Sequence, residues 1–253
     1  MAKGWLRALN EAPELKGRVT LVGLVDLDLA AADALRQEFG LDTAVTGTDL
    51  DQVLTATKPD LLFDVVIPSA RQQIVMTGLR QGCDVLTEKP MAASLEEARA
   101  LVAAAKSAGR IHAVVQNRRF VDGVRRIRET IASGALGELT ALHADFFIGA
   151  HFGGFREAMD HVLLLDMSIH TLDAARFMAG LDPLAVYCLE TNPHGSWYAD
   201  GAAANAIFEF ADDVVFTYRG SWVAEGATTS WESTWRIIGT TGTLLWDGAD
   251  SFQ

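Results

Sequence analysis

The chain has 253 residues, and its 21 Lys and Arg against 33 Asp and Glu give a formal net charge of -12, which disfavours nucleic acid or an anionic membrane as partner. With 49% hydrophobic and 21% charged residues, the composition excludes disordered and fibrous classes and suits one large domain or two smaller ones. Cys83 and Cys188 lie far apart and in no C-x-x-C spacing, so neither a disulfide framework nor a thiolate zinc site is indicated. The N-terminus carries Lys3, Arg7, Glu11 and Glu14 and lacks the apolar run of a signal peptide, and no window approaches ~20 uncharged apolar residues. A cytoplasmic protein is expected.

Apolar residues at Trp5, Leu6 and Leu9 predict a helix from the first residues, closed by Pro13 and Gly17. Val19 to Val25 is almost wholly apolar and ends in Asp26 and Asp28, as in a strand buried on both faces. Helical spacing returns over Ala30 to Phe39 and stops at Gly40. The pattern repeats with strand Leu61 to Ile67, helix Arg71 to Arg80, strand Asp84 to Thr87, helix Leu95 to Ser107 and strand Ile111 to Gln116. This alternation predicts an α/β, Rossmann-like domain over residues 1–120, with a parallel sheet and helices on both faces.

Beyond Phe120 the pattern changes, and residues 121–253 are expected to form an α+β domain. A helix over Val121 to Ser133 precedes strand Leu139 to Phe147, and a long helix runs from about His161 to Met178. Strands are predicted at Leu184 to Leu189, Asn205 to Phe210, Val214 to Trp222, Trp235 to Gly239 and Thr243 to Trp246, with Asp212-Asp213 as a hairpin turn in an antiparallel sheet.

A doubly wound sheet that binds a dinucleotide starts with a strand, a glycine-rich turn and then a helix facing the pyrophosphate. Here the chain opens on that helix. Ala2 then takes the last position of a G-x-G-x-x-G/A fingerprint, with both glycines and the first strand expected upstream of Met1, on ~10 to 20 further residues or on another chain. Such a strand, at the sheet centre, would bury about five aliphatic side chains, ~8 to 15 kcal/mol, comparable with the net stability of a domain. A helix-first protein that has lost nothing is the alternative.

Two clusters can carry chemistry. Glu88-Lys89-Pro90 follows a parallel strand at its carboxyl end, where ligands of such sheets bind, and Lys89 there is a candidate proton donor or alkoxide stabiliser. A surface lysine beside a glutamate reads equally well. Pro90 disfavours helical backbone at Lys89; a cis bond is not readable from sequence. In the later helix, spacings of four and three put Asp166, His170 and Asp173 on one polar stripe of an apolar segment. An Asp one turn from a His orients its ring and raises its basicity, as a proton-abstracting base requires. A satisfied structural pair is the plainer reading. A metal site from Asp166, His170 and His161 lacks a third ligand at good helical spacing.

Asp26 after a second strand, Pro68 after a fourth, Glu88-Lys89-Pro90 after a fifth and Asp166-x-x-x-His170-x-x-Asp173 in a later helix together resemble the glucose-fructose oxidoreductase/inositol dehydrogenase/rhizopine catabolism family, Gfo/Idh/MocA. The resemblance implies an N-terminal Rossmann domain for NAD(P) and a C-terminal domain whose open, mostly antiparallel sheet serves a homodimer or homotetramer. It implies catalytic positions at Lys89, Asp166 and His170, and cofactor contacts at Asp26, Pro68, Ser69, Glu88, Lys89 and Pro90. Asp26 without a basic residue in Leu27 to Leu29 suggests NAD rather than NADP. A His common shortly after the Pro is absent, with Gln72 or Gln73 near its place. The glycine fingerprint is missing, and the closing strands and terminal helix of the family are expected to be absent from a chain that stops at Gln253.

The activity implied is hydride transfer between a nicotinamide and a secondary alcohol of a sugar, polyol or cyclitol, held between the domains with no metal. A truncated, non-catalytic relative acting as a binding or oligomerisation module is the alternative. Elsewhere, Arg118, Arg119 and Phe120 read as an interdomain linker or as cleft residues. His151 and the Asn192 to Tyr198 loop, with His194 and Trp197, read as a substrate or an interface segment. Trp222, Trp231 and Trp235 read as core or subunit interface, and His112 and His143 as structural.

Overall fold

The computed structural model describes residues 2–253, in two units, one up to Val115 and the other Gln116–Gln253. In the first, helix α1 (Ala2–Glu11) and a 3-10 turn (Pro13–Leu15) precede β1 (Gly23–Val25), α2 (Leu29–Glu38), β2 (Val45–Gly47), α3 (Leu50–Thr57), β3 (Leu61–Asp64), α4 (Pro68–Arg80), β4 (Asp84–Glu88), α5 (Leu95–Ala108) and β5 (His112–Val115). All strand pairs are parallel, but they form two sheets: β1 pairs with β2, and β3, β4 and β5 form a separate three-stranded sheet. The expected strand Val19 to Val25 shrinks to Gly23–Val25 and is not buried on both faces, since Val19 and Val25 are 37% and 38% exposed. Its only ladder partner among the described residues is β2, and the core of this unit lies elsewhere, between β4, α4 and α5, where Val75, Leu79, Val85, Leu101 and Ala105 are buried together.

Local chemistry explains the ends of these helices. Asp28, Asp49 and Ser94 each accept a backbone N–H of the first turn, capping α2, α3 and α5, while Gly109 closes α5 in the left-handed region. Gly78 lets α4 sit close on the sheet: a Cβ there would lie 2.7 Å from the Leu62 side chain and 3.2 Å from that of Val85.

In the second unit a 3-10 turn (Asn117–Phe120) leads into α6 (Asp122–Ala132) and β6 (Leu139–Phe147). After a second 3-10 turn (Gly154–Ala158), the expected long helix divides into a π-helical turn (Leu163–Ser168) and α7 (Ile169–Ala179), while His161 stays outside at φ 52°. Strands β7 (Pro183–Thr191), β8 (Ala203–Phe210), β9 (Val215–Ser221), β10 (Thr234–Gly239) and β11 (Thr243–Trp246) follow. They join β6 in one sheet of order β11-β10-β6-β9-β8-β7. The sheet is mostly antiparallel, but its central pair, β6 with β9, is parallel. The turn between β8 and β9 has Asp212 and Asp213 at φ 60° and 58°, the left-handed pair that a tight hairpin demands.

Alternating residues of the strands, Leu142, Ala144 and Phe146 on β6 and Phe216 and Tyr218 on β9, pack in one core with Val124 and Ile127 of α6 and Ala174, Ala175 and Met178 of α7. Gly123 admits the Trp246 indole, which would lie 2.1 Å from a Cβ at that position. Residues Asn205, Ile207, Arg219 and Arg236 occupy the opposite, exposed face.

Candidate active site

In the first unit the candidate residues stand where parallel strands end. Asp26 follows β1, is exposed, and accepts the Asp28 N–H through Oδ1 at 3.0 Å. Pro68 opens α4 just beyond β3, its missing N–H suiting the first helical position, with Ser69 exposed beside it. Glu88 ends β4, and the Lys89-Pro90 bond that follows is cis. Because β3 and β4 are parallel with Asp64 opposite Thr87, the Pro68 and Lys89 turns lie at the same edge of their sheet. The Glu88 Oε1 accepts the Trp5 indole N–H at 2.6 Å, and the Trp5 ring packs edge-on to Phe63, so α1 braces the end of β4.

Sequence reasoning missed Arg71 here. Its side chain is 1% exposed and ion-paired with the equally buried Asp64, Nε to Oδ2 at 2.9 Å. No local signal distinguishes it from an ordinary exposed helix arginine.

In the second unit Asp166 lies in the π-helical turn and His170 in the first turn of α7, each 8% exposed. Arg156 Nε donates to Asp166 Oδ2 at 2.6 Å, a partner that sequence reasoning did not find. Its guanidinium also lies over the rings of Phe152 and Phe155. His170 lines a small cavity with Thr171, Ala174, Trp231, Glu232 and Trp235. The three-residue polar stripe does not act as one set, because Asp173 is held by Arg119 through two hydrogen bonds, Nε to Oδ2 at 2.9 Å and Nη2 to Oδ1. Arg118 is held inside the second unit by Glu232, whose carboxyl is pushed up mainly by burial.

His161 does not join Asp166 and His170 in a ligand set. Its Nδ1 bonds Glu190, its backbone N–H donates to Asp200 Oδ2 at 3.2 Å, and the Glu190 hydrogen bond and charge raise its pKa above 6.5. Ligand atoms of these three residues lie within 4.8 Å of one another. Trp197 is already occupied: its ring stacks on His151 at 3.7 Å and its indole N–H donates to the Ala150 carbonyl at 2.9 Å. Trp222 and Trp235 are core, whereas Trp231 is 42% exposed. His143 bonds Thr217 across the β6–β9 pair at 2.6 Å, and both cysteines are free. Among the described residues, no helix is long and apolar enough to cross a membrane.

Two family profiles match this chain: "Oxidoreductase family, NAD-binding Rossmann fold" over residues 2–116, and "GFO/IDH/MocA C-terminal domain" over residues 124–245. The chain belongs to the Gfo/Idh/MocA family. Its Asp26, Pro68, Ser69, Glu88, Lys89 and Pro90 fall in the NAD-binding match, and Asp166 and His170 in the C-terminal one. Among curated Gfo/Idh/MocA relatives, the D-glucoside 3-dehydrogenase of Escherichia coli is 31% identical over 63% of this chain and 46% of its own length. The 1,5-anhydro-D-fructose reductase of Ensifer adhaerens is 24% identical over 89% of this chain and 67% of its own. The chain therefore spans roughly half to two thirds of these relatives' length. An oxidoreductase from Agrobacterium radiobacter, solved with NAD+, L-tartaric acid and magnesium, superposes with a TM-score of 0.84 at 21% identity, covering 95% of this chain and 71% of that one; this likeness shows the fold.

Proposed function

We propose that this chain is the main part of an NAD-dependent dehydrogenase acting on a secondary alcohol of a sugar, polyol or cyclitol, or reducing the corresponding ketone. The observation that carries this reading is the buried carboxylate of Asp166, charge-paired with Arg156 and four residues before the buried His170, in a chain whose two halves both match one oxidoreductase family. The sugar names of the relatives suggest the substrate class.

NAD, when bound, supplies the hydride acceptor. The ribose end of its site suits it: one Asp26 oxygen is tied to the Asp28 N–H, and the other has no hydrogen-bond donor among the described residues and is open to the vicinal hydroxyls of a ribose. The same carboxylate repels a 2'-phosphate, hence NAD rather than NADP. Pro68 and Ser69 line the nicotinamide side in this reading, with Glu88 and Pro90 shaping the Lys89 turn. His170 takes the hydroxyl proton, and Asp166 orients the imidazole and stabilises its charged form. Lys89 hydrogen-bonds the developing alkoxide and lowers the alcohol's pKa. The exposed outer face of the sheet serves a homodimer or homotetramer, and two free cysteines suit the cytoplasm.

Titration of the chain with NAD and NADP, followed by turnover on a panel of sugars, polyols and cyclitols, tests this. NAD binding tighter than NADP, weakened by Asp26→Ala, with NADH appearing on at least one alcohol, supports the reading. Absence of both binding and turnover speaks for the non-catalytic module.

A further inference from the structure

Arg71 sits in the first turn of α4, a place where a helix arginine normally faces water, yet it is buried and each of its guanidinium nitrogens is used. Nε donates to Asp64 Oδ2 at 2.9 Å, Nη2 to the Val66 carbonyl at 2.6 Å, and Nη1 to the Pro90 carbonyl. Asp64 is shared further: its Oδ2 accepts the Thr87 hydroxyl and its Oδ1 accepts the Val66 N–H at 3.1 Å. One ion pair thus joins the end of β3, the start of α4, the end of β4 and the turn after it.

A buried ion pair is costly to desolvate and is a poor stabiliser on its own. What this one supplies is geometry. Carbonyls just beyond the ends of strands have no ladder partner and need a donor. The planar guanidinium offers donors at fixed angles to both of them, one two residues before Pro68 and the other directly after Lys89. A lysine at 71 would keep the charge but, as a point donor, could not span both carbonyls and the carboxylate.

We propose that Arg71 is a positioning residue that clamps the Glu88–Pro90 turn to the Val66–Ser69 turn and so fixes the backbone from which Lys89 acts. The kinetic consequence rests on the dehydrogenase reading of Lys89; the structural consequence does not, and the two are measured separately.

Hydrogen exchange of the whole chain reads the clamp directly. Arg71→Lys is expected to raise amide exchange roughly tenfold in peptides covering 64–70 and 88–92, leaving α5, β5 and the second unit unchanged. Unchanged exchange in those two segments, or a rise spread evenly through the first unit, overturns the proposal. Where Arg71→Lys fails to fold, Thr87→Val, which removes one bond to Asp64, is expected to raise exchange in the same two segments by a smaller factor, and no rise there overturns it equally. In turnover, Arg71→Lys is expected to lower kcat about tenfold with KM for NAD within about twofold, and to add nothing to Lys89→Ala. Additive losses would show that Arg71 does not act through Lys89. Wild-type turnover in Lys89→Ala would remove the dehydrogenase role of that lysine, with the exchange measurement still deciding the clamp.

Discussion

Arg156 and Asp166 are ion-paired at 2.6 Å with side chains only 24% and 10% exposed, so the carboxylate four residues before His170 is held by a residue ten positions earlier, on a 3-10 turn rather than on its own helix. Charge-assisted bonds of this kind are short and strong and fix orientation. Arg156→Ala leaves a largely buried carboxylate without that partner and is expected to cost ~1 to 3 kcal/mol of stability, read by urea denaturation. The same change is expected to lower kcat ~10- to 100-fold through loss of orientation, with Arg156→Lys intermediate. Wild-type kcat in Arg156→Ala would show that the pair is structural only.

The proposed chemistry asks most of Lys89 and His170. His170→Ala and Lys89→Ala are each expected to lower kcat by ~100-fold or more, with NAD affinity kept within a few-fold in His170→Ala. Steady-state kinetics alongside NAD titration separates the two effects, and unchanged turnover in either variant takes that residue out of the mechanism.

Strand β7 is an edge strand that is exposed along almost its whole length, with Leu184, Val186 and Tyr187 at 72%, 57% and 70% exposure. Tyr187 stands opposite Ile207 on β8, itself 50% exposed, and Leu189 continues the patch. This apolar edge and face is the surface proposed for assembly. Tyr187→Glu together with Leu189→Glu is expected to convert an oligomer to monomer by light scattering, without altering the circular dichroism. A wild-type chain already monomeric at micromolar concentration would refute assembly through this face.

Two histidines are expected to titrate on opposite sides of the ordinary value. Burial pushes His112 below 6.5, with Arg71 adding to the effect and Asp64 opposing it, and neither ring nitrogen has a hydrogen-bond partner among the described residues. A histidine with a lowered folded pKa leaves stability intact above the unfolded value and erodes it as pH falls toward the folded one. His161 behaves in reverse: the hydrogen bond and charge of Glu190 raise its pKa, so its contribution is complete below the unfolded value and is lost as pH rises through the folded one. Ring-proton NMR should show His112 titrating below 6.5 and His161 above it, and Glu190→Gln should bring His161 down. A His112 midpoint at or above 6.5 contradicts the burial argument.

Much of this was legible in the sequence because it is periodic. Strand β6 matches its expected bounds, Leu139–Phe147, since alternation with one buried face is a strong local signal. Strand β2 and helix α3 were not seen: a strand of three residues, Val45–Gly47, carries too little period, although Asp49 before Val53 and Leu54 was a readable helix start. The parallel β6–β9 pair was invisible because pairing direction at long range leaves no mark on either strand. Spacing placed Asp166 and His170 close along the chain but could not show the π-helical turn, the transfer of Asp173 to Arg119 or the long-range cations Arg156 and Arg71. Such partners are chosen by tertiary contact, and an arginine looks the same in sequence whether it is solvated or buried.

The most direct test of the account follows the hydride itself. The chain would be incubated with NAD and a sugar, polyol or cyclitol deuterated at its secondary carbinol carbon, and the recovered cofactor and product analysed by mass spectrometry. One deuterium is expected on the nicotinamide ring of NADH and a ketone where the alcohol stood, with the transfer suppressed in His170→Ala. NAD that binds yet acquires no deuterium from any such alcohol would contradict it.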